Sequence, residues 1–358
     1  MTLTLLPREG SRLLLLGEGN FAFSASLVEA TATGGSFGSH LVATSFDMEA
    51  EVVSRYGRAA VSRLASLREA GARLVFGVDA SRLGTLLSLQ RLLGNCKGPQ
   101  CCGCESPSCG GFDRIVFNFP LLPAASNHAR RCGVDLILAH RALLSAFLCG
   151  AAQLLRPGGL VLLASKDCYP YSWWRPESLS LWSGGKLALV TELSWEHTEY
   201  PSLYSGPCNV DRDASVKPTD GVIFVYSWAG SAEGPSEEQL RVAGRPSPRL
   251  LHCELCRVDG LTSPEDLLSH QGGKIHKRRT ELEDRWSKLL QSVGLEAEGG
   301  DERRAGALAT FAACDGCLLP EQIQIPEAEV DALHRSKRTK VADDNGGSVR
   351  QTTADAAE

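Results

Sequence analysis

Arg12 to Ser24, RLLLLGEGNFAFS, passes from an apolar run through a glycine turn into a helix-like pattern. Arg12 to Leu16 suits a buried strand, and Gly17, Glu18, Gly19 and Asn20 cannot continue it, so the chain turns there. Phe21, Phe23 and Leu27 then share one helical face. At such a corner backbone N–H groups come close to a ligand at a helix N-terminus, which is how nucleotide-like cofactors are held. Gly17, Gly19 and Ala22 satisfy G-x-G-x-x-A, a pattern that fits a dinucleotide site and a methyl-donor site almost equally, and also a tight turn that binds nothing.

Working outward, His40 to Phe46 forms a second expected strand, closed by Asp47, and Arg73 to Val78 a third, closed by Asp79. A carboxylate about 20 to 30 residues past the glycine turn is placed to meet ribose hydroxyls. Asp47 is therefore the ribose candidate and Asp79 the adenine candidate, with helix capping as the alternative role of each. Asp113 to Asn118 is the fourth strand and runs straight into Phe119-Pro120. An amide, a ring and a proline at a strand's carboxyl end suit a planar nitrogen-bearing group, held by hydrogen bonds and stacking; a plain strand exit with a rigid turn is the alternative. A long helix, Asp135 to Leu155, leads through Arg156-Pro157-Gly158-Gly159 to a fifth strand, Leu160 to Ala164, and then Lys166. The aromatic run Tyr169 to Trp174 either stacks on a base or closes the core. Leu187 to Trp195 and Val222 to Trp228 are expected to pair antiparallel.

The chain has 358 residues, 43% apolar and 22% charged, with a net charge of -5. That is ordinary for a soluble globular protein of about two domains and gives no global nucleic-acid signature. The N-terminus lacks the basic start and long apolar run of a secretory signal. His140 and Arg141 interrupt the greasiest segment, so it is expected as a buried helix and no membrane association is expected. Thirteen cysteines in a chain of this kind point to thiols and metal rather than disulfides. Five of them (Cys96, Cys101, Cys102, Cys104, Cys109) fall in a Gly/Pro-rich insertion, a clustered thiolate set for a second zinc or a plain loop without paired C-x2-C knuckles.

In order and spacing, GEGNFAFS, ATSFD, VDA, FNFP, the LL-x-PGG strand ending in Lys166, PYSWW and YPSLY resemble the eukaryotic 25S ribosomal-RNA (uridine-N3) methyltransferase-like family, over roughly residues 10 to 230. The resemblance implies an α/β fold, a Rossmann-like class I methyltransferase sheet with helices on both faces, and S-adenosylmethionine as cofactor. It implies Gly17, Glu18, Gly19, Asn20, Asp47 and Asp79 as cofactor residues, with Asn118, Phe119, Pro120 and Lys166 at the acceptor. The chain departs from the family after FNFP, where Leu121, Leu122 and Pro123 replace a histidine and small residues. It departs again at His140-Arg141, where Asn-Arg is usual.

Residues 230–249 form a polar linker. Beyond it, Cys253-x2-Cys256, then His270 and His276, make a Cys2His2 zinc set with sound spacing. The gap between the histidines resembles double-stranded-RNA-binding and U1-type fingers. Lys274, Lys277, Arg278 and Arg279 beside it form a local basic patch suited to phosphates, or else a solvated helix face beside Glu281, Glu283 and Asp284. The expected domains are thus 10–229 for the methyltransferase, 250–290 for the finger and its helix, and 291–358 as a mostly disordered polar tail. Within that tail Cys314-x2-Cys317 is incidental, and His334 to Lys340 is a short basic run consistent with nuclear import or with disorder alone. The leading expectation is methylation of an RNA base nitrogen, uridine N3 in ribosomal RNA or a pre-ribosome, in the nucleus or nucleolus, with cytoplasm as the alternative. The rival is a non-catalytic RNA-binding or assembly protein on the same scaffold. A nicotinamide-dependent oxidoreductase rests on G-x-G-x-x-A alone.

Overall fold

The computed structural model describes residues 11–31, 40–85, 111–122, 136–195, 221–229, 253, 255–258, 261, 263–292 and 301–313. The cysteine-rich insertion, YPSLY, the linker, Cys314, Cys317 and the 334–340 basic run lie outside them.

Seven strands form one sheet: β1 Leu13–Leu16, β2 Leu41–Thr44, β3 Arg73–Val75, β4 Phe112–Asn118, β5 Leu155–Lys166, β6 Leu187–Trp195 and β7 Gly221–Trp228. Their order is β3-β2-β1-β4-β5-β7-β6. The first five run parallel, and β7 enters antiparallel between β5 and β6. Chain order reverses at β1, which lies between β2 and β4; ligands of open α/β sheets bind outside the carboxyl ends of the strands at such a point.

All four β1 residues are buried because both sheet faces are covered. Leu13 and Leu15 belong to a core with Phe23 and Leu27 of helix α1 (Ala22–Thr31) and Val52, Tyr56 and Leu64 of α2 (Glu49–Glu69). Leu14 and Leu16 belong to the opposite core, with Leu144, Phe147 and Leu148 of α3 (Leu136–Leu154). Nearly every α3 residue is buried, His140 and Arg141 included. Among the described residues α3 is the one helix long and apolar enough to cross a membrane, and here it is a core element.

Three expectations are corrected. The fifth strand begins at Leu155 rather than Leu160: Phe112 pairs with Leu155 and Arg114 with Leu160, so Arg156-Pro157-Gly158-Gly159 forms a bulge inside the ladder. Asp301–Ala313, expected as polar tail, is a helix; Leu308 and Phe311 join the α3-side core, so apolar burial holds it. The third strand stops at Val75, and Gly77 turns the chain at φ 70° toward a short 3-10 turn, Ala80–Thr85.

The finger region contributes α5 (Pro264–Gly272) and α6 (Lys274–Ser292), after a short α4 at Leu179–Trp182; Asp301–Ala313 is α7. Leu282, Trp286, Leu289 and Leu290 place α6 in the same core as α3, so the finger is packed on the sheet domain.

Candidate active site and metal centre

The glycine turn lies at the carboxyl end of β1. Gly17 is exposed with φ 66°, and a Cβ there would stand 2.7 Å from the Phe117 ring, so only bare backbone fits. Glu18 N–H donates to Thr44 O at 2.8 Å, tying the turn to β2. The Glu18 side chain turns inward and accepts from Ser24 N–H at 3.1 Å and Ser24 Oγ at 2.5 Å; burial pushes its carboxyl above the usual range. Glu18 thus shapes the turn, and its carboxylate is committed within it. Asn20 Oδ1 accepts from Ala22 N–H at 3.1 Å and starts α1. Phe21 is held at φ 57°, a conformation rare for an aromatic residue, and its ring is fully buried.

The two strand-end acids differ. Asp47 does not cap α2, whose N-cap is Met48; it pairs with Arg55 at 2.7 Å. Partial burial nevertheless raises its carboxyl. Asp79 takes the capping role: Oδ1 accepts from Ser81 N–H at 2.9 Å and Ser81 Oγ at 2.7 Å, leaving Oδ2 3.8 Å from Arg82 Nε. Both edges are stitched together, since Val78 N–H donates to Ser45 O at 2.9 Å and Gly77 N–H to Asp47 O at 3.3 Å. The exposed glycine backbone, with two acids on neighbouring strand ends, fits a nucleoside-bearing cofactor.

On the other side of β1, Asn118 ends β4, half-buried beside Ala164 of β5. Phe119 is at φ 47° while its N–H donates to Ala164 O at 2.9 Å. This is backbone strain at a strand exit, a feature that persists when surrounding contacts impose it. The Phe119 ring packs edge-on to Trp195 at 4.8 Å, so it serves first as a packing ring rather than a free stacking face. Pro120 is buried. Lys166 closes β5, with Nζ 5.5 Å from the Tyr171 ring centroid.

His140, which departs from the family pattern, has a structural task. Leu122 N–H donates to His140 Nε2 at 3.2 Å, and Nδ1 donates to Leu136 O at 2.6 Å. A carbonyl can only accept, so the proton is on Nδ1. The ring stacks on Trp174 at 4.2 Å and 4°, and burial lowers its pKa to about 4. A neutral histidine therefore pins the segment after Asn118-Phe119-Pro120. The partners are 18 residues apart along the chain, and no local pattern announces such a pair.

In the finger, Cys253, Cys256, His270 and His276 converge, with all four ligand atoms within 4.8 Å of one another. His276 Nδ1 lies 3.5 Å from both sulfurs. A tetrahedron with Zn–S near 2.3 Å and Zn–N near 2.0–2.1 Å has an S···N edge of about 3.5 Å. His270 Nε2 is buried without a hydrogen-bond partner, as a nitrogen awaiting a cation is. The cysteine hairpin closes through Cys253 N–H to Val258 O at 3.1 Å and its reciprocal at 3.3 Å. The donor set fits Zn2+ and leaves no open position.

The finger docks through α6. Arg141, 2% exposed, donates from Nε and Nη2 to Trp173 O at 3.0 and 2.8 Å and pairs with Glu283 at 2.6 Å. Arg175 Nη1 meets the same Glu283 at 3.2 Å, and Trp286 lies edge-on to Trp182 at 5.1 Å. Arg279, grouped by sequence with the phosphate-binding cations, is buried instead: Nη1 donates to Leu255 O at 2.6 Å and the guanidinium lies 4.7 Å over Trp173. Lys274, Lys277 and Arg278 are exposed.

Residues 14–205 match the family described as BMT5-like, rRNA (uridine-N3-)-methyltransferase. The chain is 36% identical over 190 residues to heavy metal-associated isoprenylated plant protein 41 of Arabidopsis thaliana, using 53% of this chain and 32% of that one. It is 32% identical over 195 residues to the uncharacterized protein At4g26485 of the same plant, using 53% of this chain and 78% of that one. The chain thus spans about a third of the first of these relatives and over three quarters of the second. Among solved structures it is similar to TrmN from Thermus thermophilus at 18% identity, TM-score 0.34, covering 63% of this chain and 48% of that one. Over residues 14–205, which carry the glycine turn and the Asn118 corner, the chain belongs to the BMT5-like family, with the Rossmann-like methyltransferase fold.

Proposed function

We propose that this protein is an S-adenosylmethionine-dependent methyltransferase acting on a base nitrogen of RNA, with uridine N3 of large-subunit ribosomal RNA as the favoured target and the nucleolus as its site. The observation that carries this reading is the placing of a bare glycine turn and the Asn118 corner at the carboxyl ends of adjacent strands β1 and β4. Bound there, S-adenosylmethionine supplies an electrophilic methyl group. The Gly17 to Asn20 backbone would hold the methionine portion, Asp47 the ribose hydroxyls and Asp79, through Oδ2, the adenine amino group. Uracil N3 carries a hydrogen between two carbonyls and becomes nucleophilic as that proton passes to water. Asn118 would donate its amide N–H to a carbonyl on which charge grows, and Lys166 would add positive potential. The Cys2His2 set would hold one structural Zn2+.

The packing of Phe119 against Trp195 and the closure of Leu122 onto His140 favour a second reading, a non-catalytic RNA-binding scaffold. Mapping methylated bases in ribosomal RNA from cells with and without the protein tests the first: loss of a methyl mark at a uridine supports it. An unchanged map together with S-adenosylhomocysteine binding in calorimetry selects the scaffold.

A further inference from the structure

The docking of α6 changes what the basic residues beside the finger can do. Glu283 faces the catalytic domain, paired with Arg141 and Arg175. The outward surface of α6 keeps Lys274, Lys277, Arg278, Arg285 and Lys288, five cations, against two exposed anions, Glu281 and Asp284. Three of those cations precede the first acid, so the N-terminal end of the helix is the more positive. That end is anchored by Arg279 over Trp173. Trp173 in turn packs edge-on against Tyr169 at 5.1 Å, and Tyr169 is 59% exposed. Lys274 to Arg278 span just over one turn before Arg279, about 6 Å along the axis at 1.5 Å per residue. Three residues before Tyr169, Lys166 ends β5, whose carboxyl end lies beside that of β4 with Asn118.

Resting on the RNA-directed reading above, we infer that Lys274, Lys277 and Arg278 of the finger and Tyr169 of the catalytic domain form one continuous surface for a single-stranded RNA segment. In it the finger would hold phosphates and the exposed Tyr169 ring would stack an unpaired base beside the acceptor corner. Charge complementarity selects a polyanion, because a cationic stripe on a chain of net charge -5 is a local and not a global feature. The ring narrows the polyanion to a single-stranded nucleic acid, since stacking on an aromatic side chain accepts any unpaired base, and the RNA-directed reading makes that strand RNA. The rigid mount distinguishes this from a tethered finger: the phosphate-binding cations and the stacking ring are held at fixed separation by Arg279, Trp173 and the Arg141–Glu283 pair.

The test uses the full chain with zinc bound and a fluorescein-labelled 15-nucleotide oligouridylate, followed by anisotropy across a salt series. K274E/K277E/R278E is expected to weaken binding and to lower the slope of log affinity against log salt by about 2, at roughly 0.7 for each phosphate no longer neutralised. Tyr169→Ala is expected to weaken binding about tenfold with the slope unchanged, and Tyr169→Phe to bind like the parent. All four positions are exposed, and unchanged S-adenosylhomocysteine affinity in each variant reports an intact catalytic domain. Unchanged affinity in either the triple variant or Tyr169→Ala overturns the proposal, as does equal affinity for polyaspartate. A protein that binds oligouridylate through these residues yet methylates no RNA refutes the methyltransferase reading and leaves this surface standing. One that methylates RNA with both variants unimpaired removes the surface alone.

Discussion

A 2.6 Å ion pair joins Arg141 of α3 to Glu283 of α6, 142 residues away along the chain. Arg141 is buried, with Nη1 unpartnered, and Arg175 reaches the same carboxylate. Desolvation lowers the guanidinium pKa, and Glu283 acts against that shift. Replacing Glu283 by Ala removes the group that compensates two cations at this interface. The loss in unfolding free energy is expected at about 2–3 kcal/mol, short of a fully buried pair because Glu283 keeps some exposure to water. Urea midpoints at unchanged m-value measure it.

Gly17→Ala sets a Cβ against Phe117 and forces a left-handed backbone on alanine. Stability is expected to fall by about 1–3 kcal/mol, with S-adenosylhomocysteine affinity down more than tenfold. Parent-like affinity in calorimetry would show that the turn does not touch the cofactor.

Asn118→Ala removes the proposed donor to the uracil carbonyl. Loss of such a donor commonly costs about 2.7–4 kcal/mol, a hundredfold to a thousandfold in turnover. Methyl transfer under saturating RNA should drop by that factor while S-adenosylhomocysteine binds normally. Near-parental turnover refutes the role.

His140 has a folded pKa of about 4, below its ordinary value of 6.5. Between these values the unfolded chain takes up a proton that the folded chain refuses, so this contribution is complete above pH 6.5 and is lost as pH falls toward 4. From pH 7 to pH 5 the loss is about 2 kcal/mol at 1.36 kcal/mol per pKa unit. His140→Gln should abolish that component, so the quantity to compare is the pH 7 to pH 5 difference in stability of the two proteins. Identical differences exclude a buried neutral histidine.

Elemental analysis of purified protein is expected to give one zinc per chain, and Cys253→Ser to give none. Two zincs per chain would point to the cysteines between Cys96 and Cys109 as a second centre. Chelation should also expose Trp173 and Trp286, seen as a red shift in tryptophan emission, because Arg279 links the metal hairpin to that interface.

The strand-turn-helix at Arg12 to Ser24, the Asn118-Phe119-Pro120 corner and the spacing of Cys253, Cys256, His270 and His276 were legible in the sequence because each is local. Backbone conformation, strand termination and ligand spacing are set within a few residues of one another. The family match over residues 14–205 agrees with the fold read from that strand and turn. Composition also placed α3 inside the protein, since its apolar residues surround the axis. What the tertiary structure alone decided lies between segments distant along the chain. Arg279 is one of four cations between positions 274 and 279 that charge alone does not tell apart, yet packing over Trp173 buries it and leaves Lys274, Lys277 and Arg278 outside. The inward turn of Glu18, the capping by Asp79, the grip of His140 on Leu122 and the burial of α7 in a polar-looking tail arise the same way. In each, a side chain with several possible partners took the one that three-dimensional packing brought within hydrogen-bonding or van der Waals reach, and no pattern in one dimension encodes that proximity.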